Sequence, residues 1–452
     1  MIRKNDVISG TVSGYTAEGA GVVKENAYPV FVPFAAEGDE GEFLVVKKGK
    51  NFGFGKIKAL KKESDARTLP PCPHFGKCGG CSLMHLSLDA QLRFKTEKVK
   101  AAVRRIGGFS ETLVSPCIGG EAFRYRNKAQ YPVSEREGTP LCGFFAPRSH
   151  RVISIQDCLL QKKENAVISS TVTEWMNEYH IPAYREESHT GLVRHIYTRV
   201  GHATGDFQLV LVVNGSSLPH TDELLTRLQS ADLGAYTLKS VVLNENTRPG
   251  NVILGKQNRV LFGSEYIEDV LLGKTYRLSP HSFYQVNPEM TERMYQKAIT
   301  LAALTGKERV FDLYCGIGTI GLSLASHAKE VIGVEIVPEA IQNAEENARR
   351  NGAHNARFFR GAAEDIVPQL YQAGDIADVV VVDPPRKGCD SALLDTIGRM
   401  NPERIVYVSC DCATLARDMK TLTQFGYAPK EIQPFDQFPQ THHVESVALL
   451  TK

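Results

Sequence analysis

The most restrictive feature of the chain is a rhythm that begins at Pro288. Short apolar runs recur at Val310 to Leu313, Glu330 to Glu335, Arg357 to Phe359, Val379 to Asp383 and Ile405 to Ser409. Stretches of about 10 to 15 residues with helical spacing separate them. Strands that are apolar along their whole length are buried on both faces, and parallel strands need helical crossovers between them. The pattern predicts a doubly wound, Rossmann-like α/β sheet over residues 281–452, with Glu445 to Leu450 as an edge strand.

Two further regions precede it, as 452 residues allow at about 150 per domain. Residues 1–60 alternate short β runs (Val7 to Val12, Gly21 to Val23, Tyr28 to Val32, Gly41 to Val46) with glycine turns, the pattern of a small OB-like β-barrel. The stretch Phe43 to Lys62 holds seven lysines and no acid, with Phe52 and Phe54 among them. Ammonium groups beside exposed rings suit single-stranded RNA, where phosphates meet charge and bases stack. A solvated strand edge is the equal alternative. Residues 61–280 form a central α+β region. It opens with a Cys-, Pro- and Gly-rich segment and a helix from Leu86 to Ile106. Strands are expected at Lys128 to Val133, Leu141 to Phe145, His195 to Val200 and Phe207 to Val213, and a helix at Thr221 to Gln229.

The N-terminal run Met1 to Asp6 is charged and leads into no apolar core. The longest aliphatic run, Val379 to Val382, is too short to span a bilayer. A cytoplasmic protein without a membrane partner is expected. In that compartment ten cysteines point to metal or thiol chemistry and not to disulfides. A net charge of +2 means that any nucleic acid is met by local basic patches.

Val310 to Thr319 is a strand running into a glycine loop and a helix. Glycines let a backbone pass close to a cofactor, and Glu335 at the end of the next strand suits both hydroxyls of a ribose. Gly316, Gly318 and Gly321 also satisfy GxGxxG, so a nicotinamide or flavin dinucleotide stays open. S-adenosylmethionine (SAM) is favoured on two grounds. Asp312 would repel a pyrophosphate and attract a cationic methionine group. The motifs that follow have no part in hydride transfer.

Asp383-Pro384-Pro385-Arg386-Lys387-Gly388 follows the fourth strand and Ser409-Cys410-Asp411-Cys412 the fifth, at the carboxyl ends where such sheets bind ligands. The rigid Pro-Pro pair suits close contact with a flat base. A cysteine there has a specific use. Carbon 5 of uracil is a poor nucleophile. Thiolate addition at C6 turns the ring into an enolate whose C5 attacks a sulfonium methyl. Cys410 directly follows the strand end and is preferred to Cys389 and Cys412; a small buried apolar residue is the other reading. The C5 proton must then leave, and Glu445 is the candidate base, with His442 and His443 as substitutes.

Together these residues resemble the RNA 5-methyluridine (uracil-C5) methyltransferase family along the whole chain. Ser282 to Asn287 is similar to its SFxQVN segment, Asp312 to Thr319 to its D-x-x-C-G-x-G-T loop, and Asp383 to Gly388 to its DPPR-x-G. Ser409 to Asp411 matches SCD, and His443 to Glu445 matches H-V-E. The resemblance implies SAM contacts from Gln285, Tyr314, Glu335 and Asp383, with Cys410 as nucleophile and Glu445 as base. It also implies that the barrel is a TRAM domain, carried by members acting on 23S ribosomal RNA and absent from the tRNA branch. Cys72, Cys78, Cys81 and Cys158 match the family's iron–sulfur ligands, for a [4Fe–4S] cluster; four thiolates by themselves suit zinc equally.

His74 and His85 are not expected as ligands, and Cys117 and Cys142 have no assigned role. Arg124, Arg126 and Lys128 alternate and are expected to face RNA from one side of a strand, with Arg126 near the target base. Phe283 is either a stacking platform for a flipped nucleotide or a core aromatic. The expected partner is 23S ribosomal RNA, with no obligatory protein partner. A tRNA uridine and RNA cytidine C5 are the alternative substrates. A non-catalytic RNA-binding protein and a cluster-dependent oxidoreductase are the readings from other classes.

Overall fold

The computed structural model describes residues 2–452; Met1, which opens the charged N-terminal run, lies outside the described residues. Five strands, β1 (Val7–Tyr15), β2 (Gly21–Glu25), β3 (Tyr28–Val32), β4 (Glu40–Lys48) and β5 (Gly53–Lys62), close a barrel in the order β1-β2-β3-β5-β4. Alternation drives closure: Ile8, Val12, Val23, Val30 and Phe43 fill the interior. Strand β5 reads poorly in the sequence because its inward positions are glycines. A Cβ on Gly55 would stand 2.9 Å from Val30 Cγ1. All seven lysines from Lys47 to Lys62 are exposed. Lys58 and Lys62 pair with Glu42 and Glu40 at 3.1 and 3.7 Å. Phe31 stacks on Phe52 with ring centroids 5.1 Å apart, and both meet Phe54 edge to face at 6.1 and 5.6 Å.

Helix α1 (Leu88–Ala102) follows. Ser87 caps it, its Oγ accepting the Ala90 N–H at 3.4 Å, and a π-helical turn, Val103–Gly107, ends it at Gly108, where φ is 76°. The central region then folds as β6 (Lys128–Arg136), β7 (Thr139–Phe145), β8 (Val152–Ser154), α2 (Glu164–Glu178), β9 (Val193–Val200), β10 (Asp206–Val213), α3 (Thr221–Ser230), β11 (Thr237–Glu245) and β12 (Gln257–Gly263). Its seven strands run in the order β12-β11-β10-β9-β6-β7-β8. Helices α2 and α3 cover one face, burying Trp175, Ile168 and Leu224. A hairpin, β13 (Ile267–Leu271) and β14 (Lys274–Leu278), leads to the last layer.

That layer contains α4 (Pro288–Ala302), β15 (Arg309–Leu313), α5 (Thr319–Ala325), β16 (Glu330–Glu335), α6 (Pro338–Arg350), β17 (Ala356–Arg360), α7 (Ala363–Gln372), β18 (Val379–Val382), α8 (Ser391–Met400), β19 (Arg404–Ser409), α9 (Cys412–Leu422), β20 (Ala428–Phe435) and β21 (Glu445–Thr451). The sheet order is β17-β16-β15-β18-β19-β21-β20, parallel through β19. Two packed cores lie on its two sides. The expected edge strand, β21, is instead interior, antiparallel to both β19 and β20. The true edge, β20, carries Pro429 and Pro434, and proline is tolerated on an edge because it leaves no ladder donor missing inside the sheet. Among the described residues no helix is long and apolar enough to cross a membrane.

Candidate active site

The glycine loop closes tightly because two residues give up ordinary geometry. Tyr314 sits at φ 64° and Gly318 at φ 84°. Gly321 meets Asp312 so closely that a Cβ would lie 2.6 Å from its Oδ2, and the Gly321 N–H donates to that oxygen at 2.8 Å. Asp312 is therefore 1% exposed and serves first to tie α5 to β15. Its other oxygen, Oδ1, remains without a partner. Burial raises its pKa to about 7, the Gly321 N–H opposes the rise, and Asp383 and Glu335 add to it. Glu335 accepts the Gly316 N–H at 3.2 Å and the Val337 N–H at 2.9 Å, which fixes its carboxylate between two loops. Ile336 and Val337 beside it are exposed and form an apolar shelf. Two apolar residues directly after a strand-end acid were the sequence signal for that shelf.

Gln285 lies just before α4, and Tyr314 just past β15. Gln285 is buried, its Oε1 accepting Gln437 Nε2 at 3.4 Å, and its carbonyl accepts Asn127 Nδ2 at 3.0 Å. The Tyr314 hydroxyl and Gln437 Oε1 are buried without partners. Gln437 carried no motif and was not legible in the sequence as the partner of Gln285.

The second half of the site lies one strand further on. Ser409 pairs with Ser446, so the ladder sets Cys410, just past β19, opposite Glu445, the first residue of β21. Asp383 follows β18, the neighbour of β19, and its N–H donates to the Leu313 carbonyl at 3.2 Å. Ser409 and Asp411 hold the turn between them. The Ser409 hydroxyl bonds the Asp411 backbone on both sides, at 2.9 and 3.1 Å, while Asp411 Oδ1 caps α9 through the Ala413 and Thr414 N–H groups.

Electrostatics favour neutral groups here until a cation arrives. Burial pushes the Cys410 thiol up to about 12, helped by Glu445 and Asp383 and opposed by Arg386. Glu445 is 3% exposed; burial and Asp383 raise it to about 8 against Arg386. Burial alone takes Asp383 to about 7. His442 and His443 fall to about 4 and about 3 through burial and nearby cations, and Arg386 Nη2 donates to His443 Nδ1 at 3.4 Å. Both imidazoles are weak bases in this setting. Cys410 is half-buried, whereas Cys389 and Cys412 are buried, the first against Asp418 and Tyr407.

Cys410 opens into a cleft of about 1130 Å³ that runs to the barrel. Tyr15 and Lys62 line its barrel side, Arg93 and Lys98 of α1 its floor, and Arg386 and His443 its far side. Phe283 is 64% exposed, while its neighbour Tyr284 is core, so Phe283 is not the core aromatic of its two readings.

Cys72, Cys78, Cys81 and Cys158 come together around one pocket of about 310 Å³, with Arg126, Lys128 and Phe144. Burial, and then the other thiols, raise the Cys81 pKa. Among the described residues no three His, Cys, Asp or Glu side chains converge as a site for a single metal ion. His74 borders the pocket; His85 packs between Phe34 and Phe75. Cys117 and Cys142 are buried. Arg124 departs from expectation. Its φ is 55°, it grips both oxygens of Asp157 at 2.6 Å, and it donates to the Cys158 and Gln161 carbonyls at 3.0 Å. It braces the Cys158 loop; the strand that was to align it with Lys128 begins only at Lys128.

Residues 251–452 match the family model described as tRNA (Uracil-5-)-methyltransferase. The chain is 48% identical over 450 residues to an uncharacterized RNA methyltransferase of Halalkalibacterium halodurans, covering 99% of this chain and 98% of that one. It is 44% identical over 451 residues to an uncharacterized RNA methyltransferase of Listeria innocua, with 100% and 99% covered. The crystal structure of Pyrococcus abyssi tRNA (uracil-54, C5)-methyltransferase with S-adenosyl-L-homocysteine superposes with a TM-score of 0.78 at 26% identity, covering 98% and 100% of the two chains.

Proposed function

Since the chain belongs to the RNA methyltransferase family whose model is that of the uracil-5-methyltransferases, we propose that it moves a methyl group from SAM to C5 of a uridine in 23S ribosomal RNA. The observation that carries this reading is the pairing of Cys410 and Glu445 across β19 and β21, beside Asp383 and the glycine loop.

The cofactor fits the residues present. Asp312 Oδ1 and Gln437 Oε1 are buried polar atoms without partners, and Glu335 and Ile336 offer a carboxylate and an apolar shelf to a nucleoside. SAM would supply an electrophilic methyl group. The chain's own residues do the rest. Phe283 offers a face on which a flipped base stacks. With its proton lost to solvent through the cleft, the Cys410 sulfur, its anion favoured by Arg386, forms an S–C6 bond, and the C5–C6 electrons move onto the O4 side as an enolate. C5 then takes the methyl group. Glu445 accepts the C5 proton, the C5–C6 double bond re-forms, and the S–C6 bond breaks to release thiolate.

Two carboxyl groups with raised pKa values give a pH signature for cofactor binding. Asp312 and Asp383 hold their protons to about 7, and a cationic ligand binds their ionised forms. SAM affinity should rise with pH and level off above that range, gaining about tenfold per unit for each proton lost below it. Calorimetry in buffers of different ionisation heat should record proton release on binding; proton uptake would count against this assignment.

In the same reading the barrel is a TRAM domain that holds the RNA, with its exposed lysines and the Phe31, Phe52 and Phe54 rings as support. The four pocket cysteines bind a [4Fe–4S] cluster. Cys72, Cys78, Cys81 and Cys158, which line one pocket, would hold it through their thiolates, and the family resemblance is what favours it over zinc. Protein purified without oxygen should carry about four irons per chain, and Cys81→Ser should lose them with the visible absorbance; stoichiometric zinc would refute the cluster.

Mapping 5-methyluridine in a deletion strain tests the substrate. Loss from one or more 23S positions is expected. A tRNA substrate has support of its own, in the wording of the family model and the P. abyssi enzyme. Loss confined to tRNA would select it, and loss of 5-methylcytidine would select the cytidine reading.

A further inference from the structure

We propose that Ser82 and Gln91 are positioning residues that strap the loop carrying Glu445 into place, so that the cysteine-bearing segment controls proton removal from C5. The inference rests on the roles proposed above for Cys410 and Glu445.

The loop from Asp436 to Val444 has almost no secondary structure of its own, yet it delivers Glu445 to the sheet. It is held from outside. Ser82, next to Cys81, accepts the His442 N–H at 3.0 Å and meets His442 Nδ1 at 3.2 Å. The Ser82 and Leu83 N–H groups both donate to the Gln440 carbonyl at 3.0 Å. Gln440 stands at φ 71°, a left-handed conformation that a residue with a side chain rarely keeps unless its surroundings impose it. Gln91 of α1 imposes it. Its Oε1 accepts the Gln440 N–H and its Nε2 donates to Gln440 Oε1, each at 3.0 Å, with both side chains buried. Lys95 pairs with Asp436 and donates to the Phe438 carbonyl, Lys98 donates to the His442 carbonyl at 2.8 Å, and the Tyr125 hydroxyl donates to the Pro439 carbonyl at 3.2 Å.

These fastenings act on one reacting group only. Cys410 is placed by β19 and the Ser409–Asp411 turn, and the cofactor loop by β15 and α5. Loosening the strap therefore displaces Glu445 and leaves the nucleophile where it is. Methyl transfer then proceeds, but the methylated ring stays bonded to sulfur because its C5 proton is not removed.

The test uses full-length Ser82→Ala, Ser82→Thr and Gln91→Met proteins, with hydrogen exchange, steady-state kinetics and denaturing gels of turnover mixtures. Ser82→Ala and Gln91→Met should lose exchange protection between Gln437 and Glu445. Their kcat should fall tenfold or more with KM for RNA within twofold of wild type. A covalent protein–RNA species should build up on ordinary uridine RNA. Ser82→Thr, which keeps the hydroxyl, should restore turnover. Unchanged protection in both variants, a fall in kcat without the covalent species, or a rise in KM alone would each overturn the inference. If wild-type protein is not trapped by 5-fluorouridine RNA, the role of Cys410 fails instead, and the exchange data report separately on the strap.

Discussion

Replacing Cys410 with alanine should abolish methyl transfer, with a loss on the order of 10⁴ to 10⁶-fold, the scale seen when a covalent nucleophile is removed. The reason is chemical. Without the S–C6 bond, no enolate forms and C5 has no electron pair to offer the methyl group. The variant should still bind SAM and RNA, because the glycine loop, Glu335 and the barrel do not depend on the thiol. RNA carrying 5-fluorouridine at the target should trap wild-type protein in a gel-stable adduct, since fluorine cannot leave as a proton does, and should leave Cys410→Ala free. Substantial activity in the alanine variant would remove the thiol from the mechanism. Cys412 is the obvious substitute, but it is buried at the start of α9, so Cys412→Ser should retain most activity.

Glu445→Gln should produce a different defect. General-base removal costs about 10² to 10⁴-fold, and here the cost falls on the last step, so methylated adduct should accumulate with natural uridine. Turnover should depend on pH in wild type, rising as the carboxyl, held near 8 by burial, ionises. The glutamine variant should lose that limb. Stability should move the other way. The folded-state pKa lies above the usual value of 4.5, so between about 4.5 and 8 the folded protein keeps a proton that the unfolded chain has lost. The raised pKa therefore costs stability that is absent below pH 4.5, grows with pH and is complete above 8. Glu445→Gln should melt higher than wild type at alkaline pH and show little gain near pH 5. Equal melting shifts at both pH values would show that Glu445 is less buried than described.

The parallel strands were legible because β15, β16, β18 and β19 are apolar along nearly their whole length, a pattern that few environments other than a doubly covered sheet accept. The strand-end positions of Cys410, Asp383 and Glu335, proposed above as site residues, were legible for a related reason, since strand ends mark where side chains become free to meet a ligand. Strand β20 was hidden by Pro429, Lys430, Glu431 and Pro434, which read as a loop but suit an edge. Helix α2 was hidden by the run Ser169 to Thr173, poor helix formers that packing of Trp175 and Ile168 overrides. Arg124 was misjudged because alternation assumes a strand, and a left-handed residue breaks it. Gln91 and Gln440 are 349 residues apart, and no local pattern announces a bond over that separation.

The interior place of β21 has a consequence for how the enzyme comes into being. During translation the strand bearing Glu445 leaves the ribosome after every strand it pairs with. Until that last segment is in place, the sheet lacks the strand that sets Glu445 opposite Cys410, so the proposed centre is complete only once the whole chain has emerged.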